Sequence, residues 1–594
     1  MTGSERSSAE EQAISIDTLD GTQRTGLWRL AYVLLGLVAL ALGFLFFRVT
    51  VDASFITWRY GKTLVEHGDW NWNSDGAPVE AYSSPLYAVL SIIPAALGIS
   101  AELFFKILAV GIAAGYLATV CRSRLPKGQK FVLLAVALAS PIFFLQLFMG
   151  LETVCFALLT GWLFAIVYRR GGLGRAGFVV AGAVALCRPE GVVLAAVAIG
   201  WSLLIDRSRS NRFGALVVLT GWALYWAARW SYFGSFLPNA FAKETGGNEP
   251  LLIRVIQVLP VAGPILLPVL IGLVLGFTAY SRATGVSLWS RTASLQDAVP
   301  LVLAVTSAAL MFGLYRESDV LADVGHRLYW QLLFPVVLLV LSRPIRLTAG
   351  SSAPETGRRR WTALIAIAVA TAAVLLWAPS QLSAGTAMGS AIVVIAIVAA
   401  AWRRITGAVV FAAIGLATVV GFGDATELTS MLAYRYRLAA AHQAVADAVH
   451  QARVSDGSLA VADAGVLPYR ADRRAIDVGG LGTSAPIDGA FLADRNLQLA
   501  ILPSSSDDAG SAWAAGAARP VLAYVADPSH DFWSAPAAEF APNYYLNYWI
   551  GPHWRKSGLA KQLNIAFQKS RELNDRPDTE LVADNLWNFS FLGR

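Results

Sequence analysis

The residue best placed to do chemistry is Asp52. It follows directly on the first long apolar segment, so its carboxylate stands where the chain leaves the bilayer. An acid at that boundary can serve as a general base toward a hydroxyl while a lipid-borne group lies beside it. A helix cap or a solvated loop acid is the alternative use of the same position. Its neighbour Arg59 can pair with Asp52 or hold a phosphate. Glu152 is a second acid beside an apolar run, costly there without a partner or a task. Three uses are open to it: positioning an acceptor, helping Asp52 bind a divalent cation, or capping the helix that starts at Thr153. Arg188-Pro189-Glu190 interrupts a further apolar run, since proline breaks a helix there. It reads either as an internal Arg–Glu pair or as a substrate contact.

Cations on the same side would neutralise a leaving phosphate. Candidates are Lys243, Arg316, His326 and Arg327, with the planar fork of Arg327 the best suited, and a snorkelling interfacial arginine the plain alternative. Trp58, Trp70, Trp72, Tyr82 and Tyr87 can stack on sugar faces or form an interfacial aromatic belt. No phosphate-cradling glycine loop, dinucleotide fingerprint, zinc spacing or Ser-His-Asp order is present. Cys121, Cys155 and Cys187 lie in or beside apolar runs without metal-ligand spacing and read as packing thiols.

The chain around these residues is 56% hydrophobic and 15% charged over 594 residues, the composition of a polytopic membrane protein. Apolar runs recur near 28–47, 101–120, 131–147, 153–168, 176–187, 190–205, 213–231, 251–277, 298–315, 328–342, 361–378, 386–402 and 406–422. That makes about 13 spans. The run 86–98 is too short to cross and reads as interfacial or re-entrant. The net charge of +7 belongs to basic connectors such as 121–130, 168–175 and 206–212, which the positive-inside rule puts in the cytoplasm. Alternation then brings Asp52, Glu152, Arg188-Pro189-Glu190, 232–247 and 316–327 to the outer face.

Three regions are expected: a disordered cytoplasmic tail at 1–26, a transmembrane domain at 27–422 with an outer active-site loop at 48–86, and an extracytoplasmic α/β domain at 423–594. The last opens with an amphipathic helix over 427–453. Strands follow at 459–463, 475–478, 498–502 and 521–525, and a helix near 556–574.

The order of these features resembles the GT-C superfamily of integral-membrane glycosyltransferases that use polyprenyl-phosphate sugars. Within it the chain is most similar to a bacterial group whose opening stands here as Asp52-Ala53-Ser54-Phe55-Ile56-Thr57-Trp58-Arg59-Tyr60. Then follow Gly150-Leu151-Glu152-Thr153, Arg188-Pro189-Glu190-Gly191, Tyr232-Phe233-Gly234 through Leu237-Pro238-Asn239 to Ala242-Lys243, and Gly325-His326-Arg327. Asp463-Ala464-Gly465, Arg474-Ala475-Ile476-Asp477 and Gly480-Leu481 complete the set.

The terminal arabinofuranosyltransferases of mycobacterial cell walls share this layout. The resemblance implies a GT-C fold in a bacterial plasma membrane and transfer of arabinofuranose from a polyprenyl-phosphate donor to a cell-wall glycan, with inversion. A mannosyl or other hexosyl donor is the second choice, and a lipid-sugar flippase or a polymer-binding scaffold the rival classes. The implied site has Asp52 and Glu152 as catalytic residues. Arg59, Trp72, Glu80, Tyr82, Arg188, Glu190, Asn239, Lys243, His326 and Arg327 bind substrate, and no set of protein metal ligands is defined. The group usually carries two adjacent acids at the opening. Ala53 replaces the second, so Glu152 or Glu80 takes its part or the substrate differs.

Overall fold

The computed structural model describes residues 21–74, 76–241, 295–296, 298–314, 327–342, 431–454, 456–483, 485–504, 512–525, 531–534 and 545–565. The expected spans at 251–277, 361–378, 386–402 and 406–422, and Lys243 and His326, lie outside them.

The first helix, α1 (Gly21–Phe46), starts within the expected tail. Leu30, Val33, Leu34, Leu37, Val38 and Leu40 are all exposed along it, an outward apolar surface that suits lipid and not water. α2 (Asp52–His67) carries the loop that opens the site, and two short helices, α3 (Pro85–Leu90) and α4 (Ile92–Leu97), pack on it. These two make up the run expected at 86–98, too short to cross.

Next come α5 (Ala101–Arg122), α6 (Lys127–Leu138), α7 (Pro141–Phe148) and α8 (Thr153–Arg170). Among the described residues three helices are long and apolar enough to cross a membrane: Trp28–Phe46, Ala101–Arg122 and Thr153–Arg170. A fourth is reached if α6 and α7, bent by 56°, make one broken span. Pro141 at the start of α7 explains the bend.

α9 (Gly174–Cys187), α10 (Pro189–Ile205), α12 (Val299–Leu314) and α13 (Arg327–Leu341) are apolar but only 14 to 17 residues long, about 21–26 Å. Between α10 and α12 runs the 25-residue α11 (Arg209–Phe233). α13 is buried on every side and packs against α8, with Gly161 of α8 beside Pro335. A helix apolar all round belongs at the centre of a bundle. These apolar helices make the chain a membrane protein.

The C-terminal part begins with a helical turn at 431–434. A turn at 435–437 interrupts the helix, which resumes as α14 (Leu438–Gln451), so the helix expected over 427–453 is not continuous. A five-stranded sheet follows, in the order β2-β1-β3-β5-β4: β1 (Ser458–Val461), β2 (Arg474–Asp477), β3 (Leu497–Ser504), β4 (Asp531–Ser534) and β5 (Tyr545–Ile550). β1 pairs in parallel with β2 and β3, and β5 runs antiparallel to β3 and β4.

Alternation sorts the two faces of the sheet. Leu459, Val461, Leu499 and Ile501 join the core shared with the helical bundle. Ala460, Ala500 and Leu502 join a separate core with Ile476, Val521 and Val525. Short helices α15 (Val466–Ala471) and α16 (Gly489–Asp494) connect the strands, and α18 (Pro552–Arg555) follows them. The strand expected at 521–525 is instead the end of α17 (Ala512–Val525). Val521 and Val525, four residues apart, both face the sheet, and the alanine-rich run before them favours helix. β4 and β5 were not among the expected strands; β5 is aromatic-rich and pairs along six residues of β3.

Candidate active site

Asp52 is the first residue of α2 and its carboxylate meets the turn between β1 and α15. Oδ1 accepts from the Val466 N–H at 2.7 Å and Oδ2 from the Gly465 N–H at 2.9 Å. Its own N–H donates to the Tyr434 hydroxyl at 3.2 Å. A Cβ at Gly465 would fall onto the carbonyl oxygen and carboxylate of Asp52, so only glycine permits this approach. His442 of α14 places Nδ1 3.7 Å from Asp52 Oδ1, while its Nε2 is 2.9 Å from Asp463 Oδ2.

The Asp52 side chain is 19% exposed and that of His442 1%. Burial pushes the Asp52 carboxyl up, with His442 and the two backbone N–H groups opposing and Asp463 adding to the rise. For His442, burial pulls down, but the hydrogen bond and charge of Asp463, then the charge of Asp52, outweigh it, and the imidazole lies above its ordinary value. His442 was missed in the sequence because it sits among Leu438, Ala441, Val445 and Val449, where a lone histidine reads as core. Asp463 was visible only as part of an Asp-Ala-Gly run.

Arg59 and Trp72 stitch the same seam. Arg59 Nε donates to the Trp72 carbonyl at 2.6 Å, Nη2 to the Arg473 carbonyl at 2.8 Å and to Asn73 at 3.3 Å, and Nη1 to the Pro468 carbonyl. Burial lowers its guanidinium to about 10, still charged at neutral pH. Arg59 therefore neither pairs with Asp52 nor presents an open fork; its fork is filled by backbone oxygens. Trp72 is fully buried under it, 5.1 Å from the guanidinium carbon. Asn73 caps the edge strand β2, donating to the Ala475 carbonyl at 2.8 Å and accepting from its N–H at 3.1 Å.

Glu152 belongs to a second cluster. Arg188, 0% exposed, donates Nη1 to Glu152 Oε1 at 2.7 Å and Nε to Glu190, which also accepts from Gln331 Nε2 at 2.9 Å. The extended backbone of Arg188 between α9 and α10 turns its side chain inward. Arg327 is buried at the start of α13, one helical turn before Gln331. The segments of Asp52 and Glu152 are laced together: Val51 N–H and Ser54 Oγ both donate to the Met149 carbonyl, at 3.0 and 2.8 Å. Gly150, at φ +89°, abuts Ser54 and Trp58 with no room for a side chain. The two carboxylates nevertheless turn to different partners.

Glu80 is buried against Arg229 of α11, which lies over the Trp226 ring. Beside them Tyr82 packs edge-on to Tyr60 and accepts from Trp70 Nε1 at 3.4 Å. Asn239 bridges this loop to the segment after β2, its N–H on the Glu80 carbonyl at 3.2 Å and Nδ2 on the Leu481 carbonyl at 3.3 Å. Among the described residues, Glu66, His67 and Asp472 are grouped closely enough to hold a cation, but all three are exposed. Lys62 already pairs with Asp472 at 2.9 Å.

No protein-family model matches the chain, and no curated protein does. Two solved structures are similar to it. Crystal structures of ArnT from Cupriavidus metallidurans, one bound to undecaprenyl phosphate and one in the apo state, align with TM-scores of 0.47 and 0.45. Identity is 15% and 16%; the alignments cover 87% and 89% of this chain and 97% and 98% of ArnT.

Proposed function

We propose that this chain is a glycosyltransferase that moves a sugar from a polyprenyl-phosphate donor to a cell-wall glycan at the outer membrane face. Asp52 is the general base of a single inverting displacement. The observation that carries this reading is the setting of Asp52: an oriented, partly exposed carboxylate six residues past the first apolar helix, with a cluster of cations around Glu102 met by the same connecting segment. Two residues earlier, Thr50 donates to Glu102 at 2.6 Å, and Lys106 pairs with the same acid at 2.7 Å. Arg470 and Arg435 act electrostatically on this pair, Arg48 acts on Arg435, and Arg435 Nη1 is buried with no hydrogen-bond partner. One acid among four cations at the membrane surface suits a lipid phosphate, whose developing charge is the main thing to stabilise. Arg327, Lys243 and His326 are the further phosphate candidates from the sequence.

The C-terminal domain is proposed to lie outside and hold the acceptor. A cleft along its seam with the loop, lined by Asn71, Asn73, Arg474, Thr483, Phe491 and Arg495, offers amide, hydroxyl, guanidinium and ring surfaces to a sugar chain. Arabinofuranose is the donor sugar favoured by the resemblance, with mannose or another hexose as the alternative.

One observation favours a non-catalytic polymer-binding scaffold: both Asp52 oxygens accept backbone N–H groups, as a purely docking acid would. A transfer assay on purified protein decides. Labelled polyprenyl-phosphate arabinofuranose, mannose, glucose and galactose are offered with short glycan acceptors to wild type and Asp52→Asn. Turnover of one donor that falls about 10²–10⁴-fold in the variant supports the base. No turnover of any donor, with glycan binding equal in both proteins, moves the assignment to the scaffold.

A further inference from the structure

His442 is a buried polar side chain on the packed face of α14, and a histidine there needs both ring nitrogens answered. Only one is. Nε2 is held by Asp463 at 2.9 Å, whereas Nδ1 is buried without a hydrogen-bond partner and faces Asp52 Oδ1 across 3.7 Å. The titratable groups facing the ring are Asp52 from α2 and Asp463 from the turn after β1. Tyr434, from the turn before α14, interacts with both acids. With Nε2–H donated to Asp463, the neutral ring keeps its Nδ1 lone pair toward Asp52. A closing movement of about 1 Å would bring that pair within hydrogen-bond distance.

We infer that His442 and Asp463 are positioning residues that draw off the proton Asp52 removes from the acceptor, so that the docked C-terminal domain supplies half of the proton pathway. The inference rests on the transfer reading above. In the step, the acceptor O–H bond breaks as its oxygen bonds to the anomeric carbon. The carbon–oxygen bond to phosphate breaks, and its electron pair leaves on the phosphate. The proton goes to Asp52 and then to His442 Nδ1, and Asp463 balances the imidazolium. Asp52 returns to the carboxylate without the proton having to escape past the bound acceptor. An isolated carboxylate holds a proton weakly at neutral pH, while an imidazole between two acids holds it well.

The test is the pH dependence of transfer by the full-length protein from about pH 5 to 9, across the ordinary imidazole range. His442→Gln retains a donor for Asp463 but takes up no proton. It is expected to lower kcat about 10²-fold, leave KM within about twofold, and replace the wild-type acid limb by that of Asp52 alone. Asp463→Asn is expected to keep the limb but move it to lower pH, because the charge that favours the imidazolium is gone. Thermal unfolding of each variant separates these effects from loss of fold. Variants that fold and retain the wild-type limb overturn the pathway while leaving the transfer reading intact. Absence of wild-type turnover removes both. If His442→Gln does not fold, Asp463→Asn decides alone, and an unmoved limb overturns the inference.

Discussion

Asp52 Oδ1 and His442 Nδ1 stand 3.7 Å apart, one at the start of the helix that follows the first apolar span and the other inside the C-terminal domain. The approach joins the start of α2 to the C-terminal part of the chain. Stability, docking and the proposed chemistry therefore share residues, and the predictions below separate them.

Stability and activity should respond to pH in opposite senses. His442 and Asp52 both lie above their ordinary values in the folded protein, so the fold binds protons more tightly than the unfolded chain. The His442 contribution is complete below its unfolded value of about 6.5 and is lost as pH rises through the higher folded one. The Asp52 contribution has the same sign, beginning to fall above the ordinary carboxylate range. The thermal midpoint should decline from mildly acid to mildly alkaline pH while transfer rises. His442→Gln should flatten the upper part of the stability profile, which a thermal scan across pH will check.

Gly465→Ala should undock the C-terminal domain. The added methyl would overlap the Asp52 carbonyl and carboxylate, so the two N–H bonds that hold Asp52 must break. Each such charge-assisted bond contributes about 1.5–3 kcal/mol. Limited proteolysis should then cut the seam faster, and transfer should fall at least as far as in Asp52→Asn. Wild-type proteolysis would show that the turn relaxes without undocking.

Arg188→Ala should destabilise the helical bundle by about 3–5 kcal/mol, because it removes the buried guanidinium that bonds both Glu152 and Glu190. Adding Glu152→Gln and Glu190→Gln to the variant should recover part of the loss. Detergent-solubilised thermal unfolding of the single and triple variants provides the comparison. Full wild-type stability in Arg188→Ala would mean that water or Gln331 replaces the guanidinium.

Arg435→Gln should raise the donor KM about tenfold, equivalent to ~1.4 kcal/mol of lost phosphate binding, and leave the acceptor KM unchanged. Donor titration at fixed acceptor measures it. An unchanged donor KM would move the phosphate site away from the Glu102 cluster and toward Arg327.

Much of the architecture was legible along the chain because it depends on local periodicity. Long apolar runs marked α1, α5 and α8, Pro189 the break between α9 and α10, and short apolar runs the strands β1, β2 and β3, whereas α2 lies within the expected loop 48–86. Local pattern failed at 521–525, where valines at alternate and helical spacings coincide and packing against β3 selected the helix.

By itself the sequence determined a membrane protein with a carboxylate at the first span's exit, since hydropathy and position need no tertiary contact. It did not determine what those residues face. Arg59 and Trp72 sit on the loop as sugar- or phosphate-binding residues would, yet tertiary structure turns both into the seam. The partners of Asp52 lie as far as 414 positions away, at Val466. No periodicity encodes that separation. Which side chains share a site was decided only when the sheet's inner face joined the helical core and brought His442, Asp463 and Gly465 against the start of α2.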